Sequence, residues 1–274
     1  FGKHGRHPRE HAGAQLQAAV VDAAAHRDGP PIRIDLWADG LHHGGRIAAS
    51  PTTMREALHA RAVQLPPTGG DYSEFANDKT RASNEKGRFS SYWNRVGGEP
   101  LNTIMLEEDL TKTTLNLSGT PYNIWYTCPR DTRSTCLLDP YEDTVTGTPV
   151  LMTTISLPMI VDGKVIGVVG VDIALNTLQA AAVDSQRDLF NSAGHMLIVS
   201  GSGVLAGFGA DASKVGKNIG DTLGAEGKEI LQLLGAGTPK ILEQGDLIRA
   251  VYPVDPIGNS RAWGVVRSSP SGVR

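Results

Sequence analysis

The chain has 274 residues, 40% of them hydrophobic and 20% charged, with a formal net charge of −3. That length can bury one large core or two smaller ones, and the composition excludes a disordered chain. No basic stripe interleaved with aromatics is present, so nucleic acid is not an expected partner.

The longest apolar run, Val165 to Val171, ends at Asp172, far short of the roughly 20 residues that span a bilayer. Phe1 to Glu10 is basic and His-rich with no apolar stretch behind it, so no signal peptide is expected and the chain reads as soluble. Glu10 to His26 is Ala-rich, with Leu16, Ala19, Val20 and Ala23 at helical spacing, and predicts a helix that stops at Asp28-Gly29-Pro30-Pro31. Beyond it Ile32 to Trp37 reads as a short strand and Met54 to Leu65 as a helix. His4, His7 and His11, or His42 and His43, could ligate a metal, but their segments read as flexible and no specific site is expected.

Gly87 to Arg95 predicts a strand with Phe89, Ser91 and Trp93 on one face and Arg88, Ser90 and Tyr92 on the other. Glu107 to Leu117 reads as helix. Val150 to Ile160 and Lys164 to Ile173 form a hairpin about Val161-Asp162-Gly163, because Asp-Gly tolerates the positive φ a tight turn needs. The glycines between Gly163 and Asp172 lie inside a strand, so they are no nucleotide loop. Asn176 to Ala193 predicts a connector helix with Leu178, Ala182, Leu189 and Phe190 on its apolar side. Then come a hairpin from His195 to Phe208, a helix from Gly227 to Leu234, and three strands from Pro239 to Val266. Ser200-Gly201-Ser202-Gly203 is a hairpin turn and not a nucleophile elbow. Strand, helix and antiparallel hairpins thus occur twice, which predicts an α+β protein of two PAS-like modules with antiparallel sheets.

Cys128 and Cys136 lack the spacing and partners of a zinc site, leaving a disulfide in an oxidising compartment or two free thiols in the cytosol. Tyr141 and Asp143 lie two apart and share one face of an extended strand. Asp172 ends an apolar strand face after Ile166, Val168 and Gly170, where an ionised carboxylate needs a partner: a ligand cation, or the amides that start the following helix. Trp125 and Tyr126 are adjacent and would face opposite sides of a strand, so both reach one pocket only at a bend or a strand end. Core packing accounts for each of these aromatics, and for Trp93, taken singly. Taken together, aromatic faces and two acids suit a small organic cation. A hydrolase using Asp143 and Asp172 as an acid–base pair is the competing reading, although no further polar cluster completes such a site.

The run from Tyr122 through Trp125, Tyr126, Tyr141 and Asp143 to Asp172 resembles the double Cache (dCache) sensor domain of bacterial methyl-accepting chemotaxis proteins. The resemblance is specific from about Phe75 to Leu178, weaker to Val266, and absent before Asp71. It implies a long N-terminal helix as a stalk over residues 1–45, a membrane-distal Cache module with the pocket over 46–178, and a connector helix with a membrane-proximal module over 179–274. It further implies a periplasmic domain of an inner-membrane receptor, a homodimer in the full receptor, cytoplasmic signalling partners beyond this piece, no catalysis and no cofactor. It also favours a disulfide between Cys128 and Cys136.

In the amino-acid-sensing branch a Tyr and an Arg hold the ligand carboxylate ahead of a Trp-Tyr pair, while a Tyr-x-Asp and a later Asp hold the ammonium group. Trp125, Tyr126, Tyr141, Asp143 and Asp172 match, but Asn123 stands in the Arg position and Ser118 in the Tyr position. Asn cannot make the bidentate charged clamp of Arg. The pattern is therefore similar to the amine-sensing branch, and implies a quaternary ammonium or small biogenic amine bound by Trp93, Asn123, Trp125, Tyr126, Tyr141, Asp143 and Asp172. An amino-acid sensor, or the same domain on a histidine kinase or cyclase, is the alternative.

Overall fold

The computed structural model describes residues 59–65, 73–96, 99–143, 149–188, 194–254, 256–258 and 260–271. The predicted helix from Glu10 to His26, the strand from Ile32 to Trp37, the stalk, and His4, His7, His11, His42 and His43 lie outside them. The chain divides into two compact units between Ala174 and Leu175. Both are α+β with antiparallel sheets, as expected. The boundary drawn at Leu178 falls within the helix that begins the second unit.

The first unit is a seven-stranded sheet. Its strands are β1 (His59–Gln64), β2 (Ser90–Val96), β3 (Glu99–Ile104), β4 (Cys136–Leu137), β5 (Tyr141–Asp143), β6 (Val150–Val161) and β7 (Lys164–Ala174). They run in the order β3-β2-β1-β7-β6-β4, with β5 also paired to β6. The hairpin between β6 and β7 turns at Asp162 and Gly163, both at positive φ, as the Asp-Gly pair dictates. Helix α1 (Glu107–Thr111) is shorter than predicted; Asp109 reaches back to accept the Leu106 amide at 3.0 Å. Helix α2 (Ile124–Thr132) ends at Arg133, which takes left-handed φ and donates its amide to Pro129.

Met54 to Leu65 was expected to be helical, yet His59–Gln64 is the strand β1, paired through its full length with β7 and along most of it with β2. Backbone groups of two neighbouring strands need a partner between them, and that tertiary demand overrides a weak helical preference.

Register then decides which side chains meet. In antiparallel pairing, residues directly opposite one another share a face. Arg61 lies opposite both Tyr92 and Gly170, Asp172 opposite Thr154, Gly170 opposite Ser156, and Met152 opposite Tyr141. Alternation along each strand therefore gathers Ser90, Tyr92, Arg61, Val63, Val168, Asp172, Met152, Thr154, Tyr141 and Asp143 on one face, and all are buried. Helix α2 packs over β6 and β7 on this side, adding Trp125 and Tyr126 to the same core as Val63, Met105, Leu110 and Met152.

The second unit begins with α3 (Leu175–Asp188) and holds β8 (His195–Val199), β9 (Leu205–Phe208), α4 (Ile219–Leu223), α5 (Ala225–Gly235), β10 (Lys240–Gln244), β11 (Leu247–Pro253) and β12 (Gly264–Pro270). The five strands run β10-β11-β12-β8-β9. Helix α3 lies close to the edge strand β9 because Gly207 has no side chain: a Cβ there would sit 3.0 Å from the Leu178 carbonyl and 3.2 Å from the Ala182 methyl. Gln179 seals that edge, its amide both donating to and accepting from the Phe208 backbone, at 2.9 and 2.6 Å. The core beneath is Leu197, Val199, Leu205, Ile219, Ile230, Leu234, Val251 and Val266. Burying each large aliphatic among them contributes about 1.5–3 kcal/mol. No helix among the described residues is long and apolar enough to cross a membrane.

Candidate functional site: a buried cation box

The buried face of the first sheet converges on one guanidinium. Arg61 Nη2 donates to Asp172 Oδ2 at 2.5 Å, to Asp143 Oδ2 at 3.1 Å and to the Tyr141 hydroxyl at 3.0 Å, while Nε donates to Asp172 Oδ2 at 3.1 Å. The guanidinium carbon lies 4.7 Å from the Trp125 ring centre and 5.2 Å from that of Tyr92. Both distances are within the range of cation–π attraction. Two acids, a phenol and two aromatic faces thus surround a single positive charge that is 1% exposed.

Thr154 completes the network. Its hydroxyl donates to Asp172 Oδ1 at 2.6 Å, so in its 2.7 Å contact with Tyr141 it accepts the phenol proton. Tyr141 then offers a lone pair to Arg61. Burial opposes the charge of Arg61, but Asp172, with Tyr141, Tyr92 and Asp143, outweighs that and holds the guanidinium above its usual range. Burial pushes the phenols of Tyr141 and Tyr92 well above the ordinary tyrosine range.

Each site residue expected from sequence has a definite place. Tyr141 and Asp143 do point the same way from a short strand, and Asp172 meets Arg61 and Thr154, three positions before α3 begins. Trp125 and Tyr126 are both buried because they belong to a helix, where neighbours are about 100° apart. Trp125 covers Arg61. Tyr126 instead accepts from Arg88 Nη1 at 3.0 Å and lies under Arg130, 5.2 Å from its ring centre. Trp93 is half-buried and belongs to the opposite sheet face from Tyr92, so Tyr92 is the aromatic that β2 contributes to the box. The expectation for Trp93 fails on strand alternation.

Asn123 donates its side-chain amide to the Leu110 carbonyl at 2.9 Å, and the Ser118 hydroxyl donates to the Pro140 carbonyl. Asn123 therefore ties α2 to α1. Cys128 and Cys136 are disulfide-bonded, with Cα atoms 6.3 Å apart, which fastens α2 to β4 beside the box. Arg88, two residues before β2, pairs through Nη2 with Glu107 and reaches Tyr126 through Nη1, linking the start of that strand to both helices.

Asp143 and Asp172 share one nitrogen of Arg61, an arrangement that neutralises a cation and does not bracket a glycosidic bond. Three buried polar atoms around the box, Trp125 Nε1, Ser90 Oγ and Ser156 Oγ, have no hydrogen-bond partner among the described residues.

Arg61 and Tyr92 escaped the sequence reading. Tyr92 was legible as the face partner of Ser90, two residues before it. Arg61 was not, because its strand was read as helix.

The α+β architecture with antiparallel sheets matches that of PAS- and Cache-like domains. Residues 55–180 match the family model of the methyl-accepting chemotaxis protein-like, first PDC sensor domain. Over 197 residues, 72% of its length, the chain is 40% identical to the methyl-accepting chemotaxis protein TlpQ of Pseudomonas aeruginosa, and it spans 28% of that receptor. Among solved structures, the extracellular domain of the histidine kinase mmHK1S-Z3 aligns with a TM-score of 0.60 at 23% identity, covering 78% of this chain and 73% of that one. A separate match of 72 residues, 26% of the chain, is 78% identical to type III pantothenate kinase of Stenotrophomonas maltophilia but spans 28% of that enzyme.

Proposed function

We propose that the chain is the extracytoplasmic sensor region of a transmembrane chemoreceptor, and that Tyr141, Asp143, Asp172, Trp125 and Tyr92 capture a small organic cation. The observation that carries this is their convergence on one buried guanidinium. Charge pairing is strong in such a poorly solvated site, and each aromatic face adds about 0.5–2 kcal/mol.

Two features favour an amine over an α-amino acid. The positions where the amino-acid-sensing branch carries its carboxylate holders are Asn123 and Ser118, both engaged with backbone carbonyls. Arg88, which reaches Tyr126 at the edge of the site, is paired with Glu107, and a ligand carboxylate would have to break that pair.

Asp172, Asp143 and Tyr141 each accept an N–H bond from Arg61. A primary amine or a guanidinium compound therefore suits the box better than the quaternary ammonium ion expected from sequence. Binding in this unit would pass a conformational change through α3 toward the membrane and a cytoplasmic partner. A histidine kinase output is the second reading, favoured by the structural likeness to mmHK1S-Z3.

A thermal-shift screen with amines, α-amino acids and organic acids tests the proposal, because a ligand of the folded state raises the melting temperature by mass action. Amines alone should register. Stabilisation by organic acids without amines would refute it.

A further inference from the structure

We infer that Arg61 is a resident, displaceable occupant of the cation box, so that β1 carries the site's own competitor and a ligand cation binds by taking its place. This rests on the reading of the box as a cation site and adds how that site is regulated.

Arg61 makes every contact a ligand cation would need. One nitrogen already bonds Asp172, Asp143 and Tyr141, and the two aromatic faces cover the same guanidinium. A second cation cannot use those groups while Arg61 holds them. The sheet is also built to admit the Arg61 stem. Gly170 lies directly opposite it, and a Cβ there would come within 3.3 Å of both Arg61 Cγ and Thr154 Cγ2.

Exchange is the low-cost route into such a site. Leaving two acids buried without a cation is strongly unfavourable, whereas swapping one cation for another keeps them paired and lets the flexible Arg side chain return to water. Trp125 Nε1, Ser90 Oγ and Ser156 Oγ supply what Arg61 does not use: buried polar groups without partners among the described residues, which a ligand bearing acceptors would satisfy. Apparent affinity is then reduced by the fraction of molecules in which Arg61 has left.

The test is chemical rescue with methylguanidinium chloride, on the whole chain and its Arg61→Ala variant. Arg61→Ala should melt below the parent protein, and methylguanidinium should restore its melting temperature saturably. Calorimetry should give at least tenfold tighter binding to Arg61→Ala than to the parent, still measurable in the parent, and none to Arg61→Ala/Asp172→Asn. If Arg61→Ala does not fold, Arg61→Lys, which keeps the charge but loses the fork, should bind methylguanidinium several-fold tighter than the parent. Equal affinity for parent and variant would overturn the displacement while leaving the cation box intact. Binding to the variant with none to the parent at any concentration would make Arg61 a permanent strut and overturn it too. No binding to any folded variant would sink the box itself.

Discussion

At the scale of single residues, the central pair is Arg61 with Asp172. Among the described residues, two bonds from Arg61 and one from Thr154 fall on Asp172, and one from Arg61, at 3.1 Å, falls on Asp143. Removing one member of a buried ion pair leaves the other charge uncompensated, at about 3–5 kcal/mol. Asp172→Ala should therefore lower unfolding free energy by that amount in urea denaturation, and Asp143→Ala should cost less. An Asp143→Ala loss equal to or above that of Asp172→Ala would reverse the order of the two acids. Most of this was legible in sequence. Tyr141 and Asp143 are two apart, and Asp172 ends an apolar strand face, so each announces itself by local spacing. The cation between them was not legible, because an Arg 80 residues before Tyr141 becomes its neighbour only through sheet pairing.

At the scale of elements, β1 and α2 build the site, and they were the hardest to read. His59–Gln64 takes its conformation from β2 and β7 and not from its own preference. Ile124–Thr132 is only nine residues long and holds a Pro, so its local preference for helix is slight. The hairpin of β6 and β7, by contrast, is set by Asp162-Gly163 alone and was fully apparent. The Cys128–Cys136 disulfide closes a short loop around the end of α2. Cross-links of this span contribute about 2–3 kcal/mol, mainly by restricting the unfolded chain. Replacing both cysteines by serine should lower the urea midpoint accordingly; an unchanged midpoint would mean α2 is held by packing alone. Gly170→Ala would press a methyl against Arg61 Cγ and Thr154 Cγ2. Overpacking of this kind costs about 1–3 kcal/mol. The same change combined with Arg61→Ala should recover part of that loss in urea denaturation.

At the scale of the whole molecule, repeated hairpins in the sequence revealed two antiparallel modules, because each turn is locally encoded even where strand order is not. The strand order β3-β2-β1-β7-β6-β4 depends on pairings between distant segments and could not be read. The first unit also carries a pH signature. Burial raises the phenol pKa of Tyr92, Tyr122 and Tyr141 above the ordinary value. Above about pH 10 an unfolded chain sheds these protons while the folded one keeps them, so their contribution is intact below that pH and is lost as pH rises further. Each phenol accounts for ~1.4 kcal/mol per pH unit in that window. Stability by urea denaturation should fall steeply above pH 10, and a flat profile there would mean that the phenols are accessible in the native state.

The most direct test of the cation box is calorimetric titration of the protein and its Asp172→Asn variant with agmatine and arginine, which differ by one α-carboxylate. The box predicts saturable binding of agmatine, weaker or undetectable binding of arginine, and loss of agmatine binding in Asp172→Asn. Arginine binding more tightly than agmatine, or agmatine binding that survives Asp172→Asn, would contradict it.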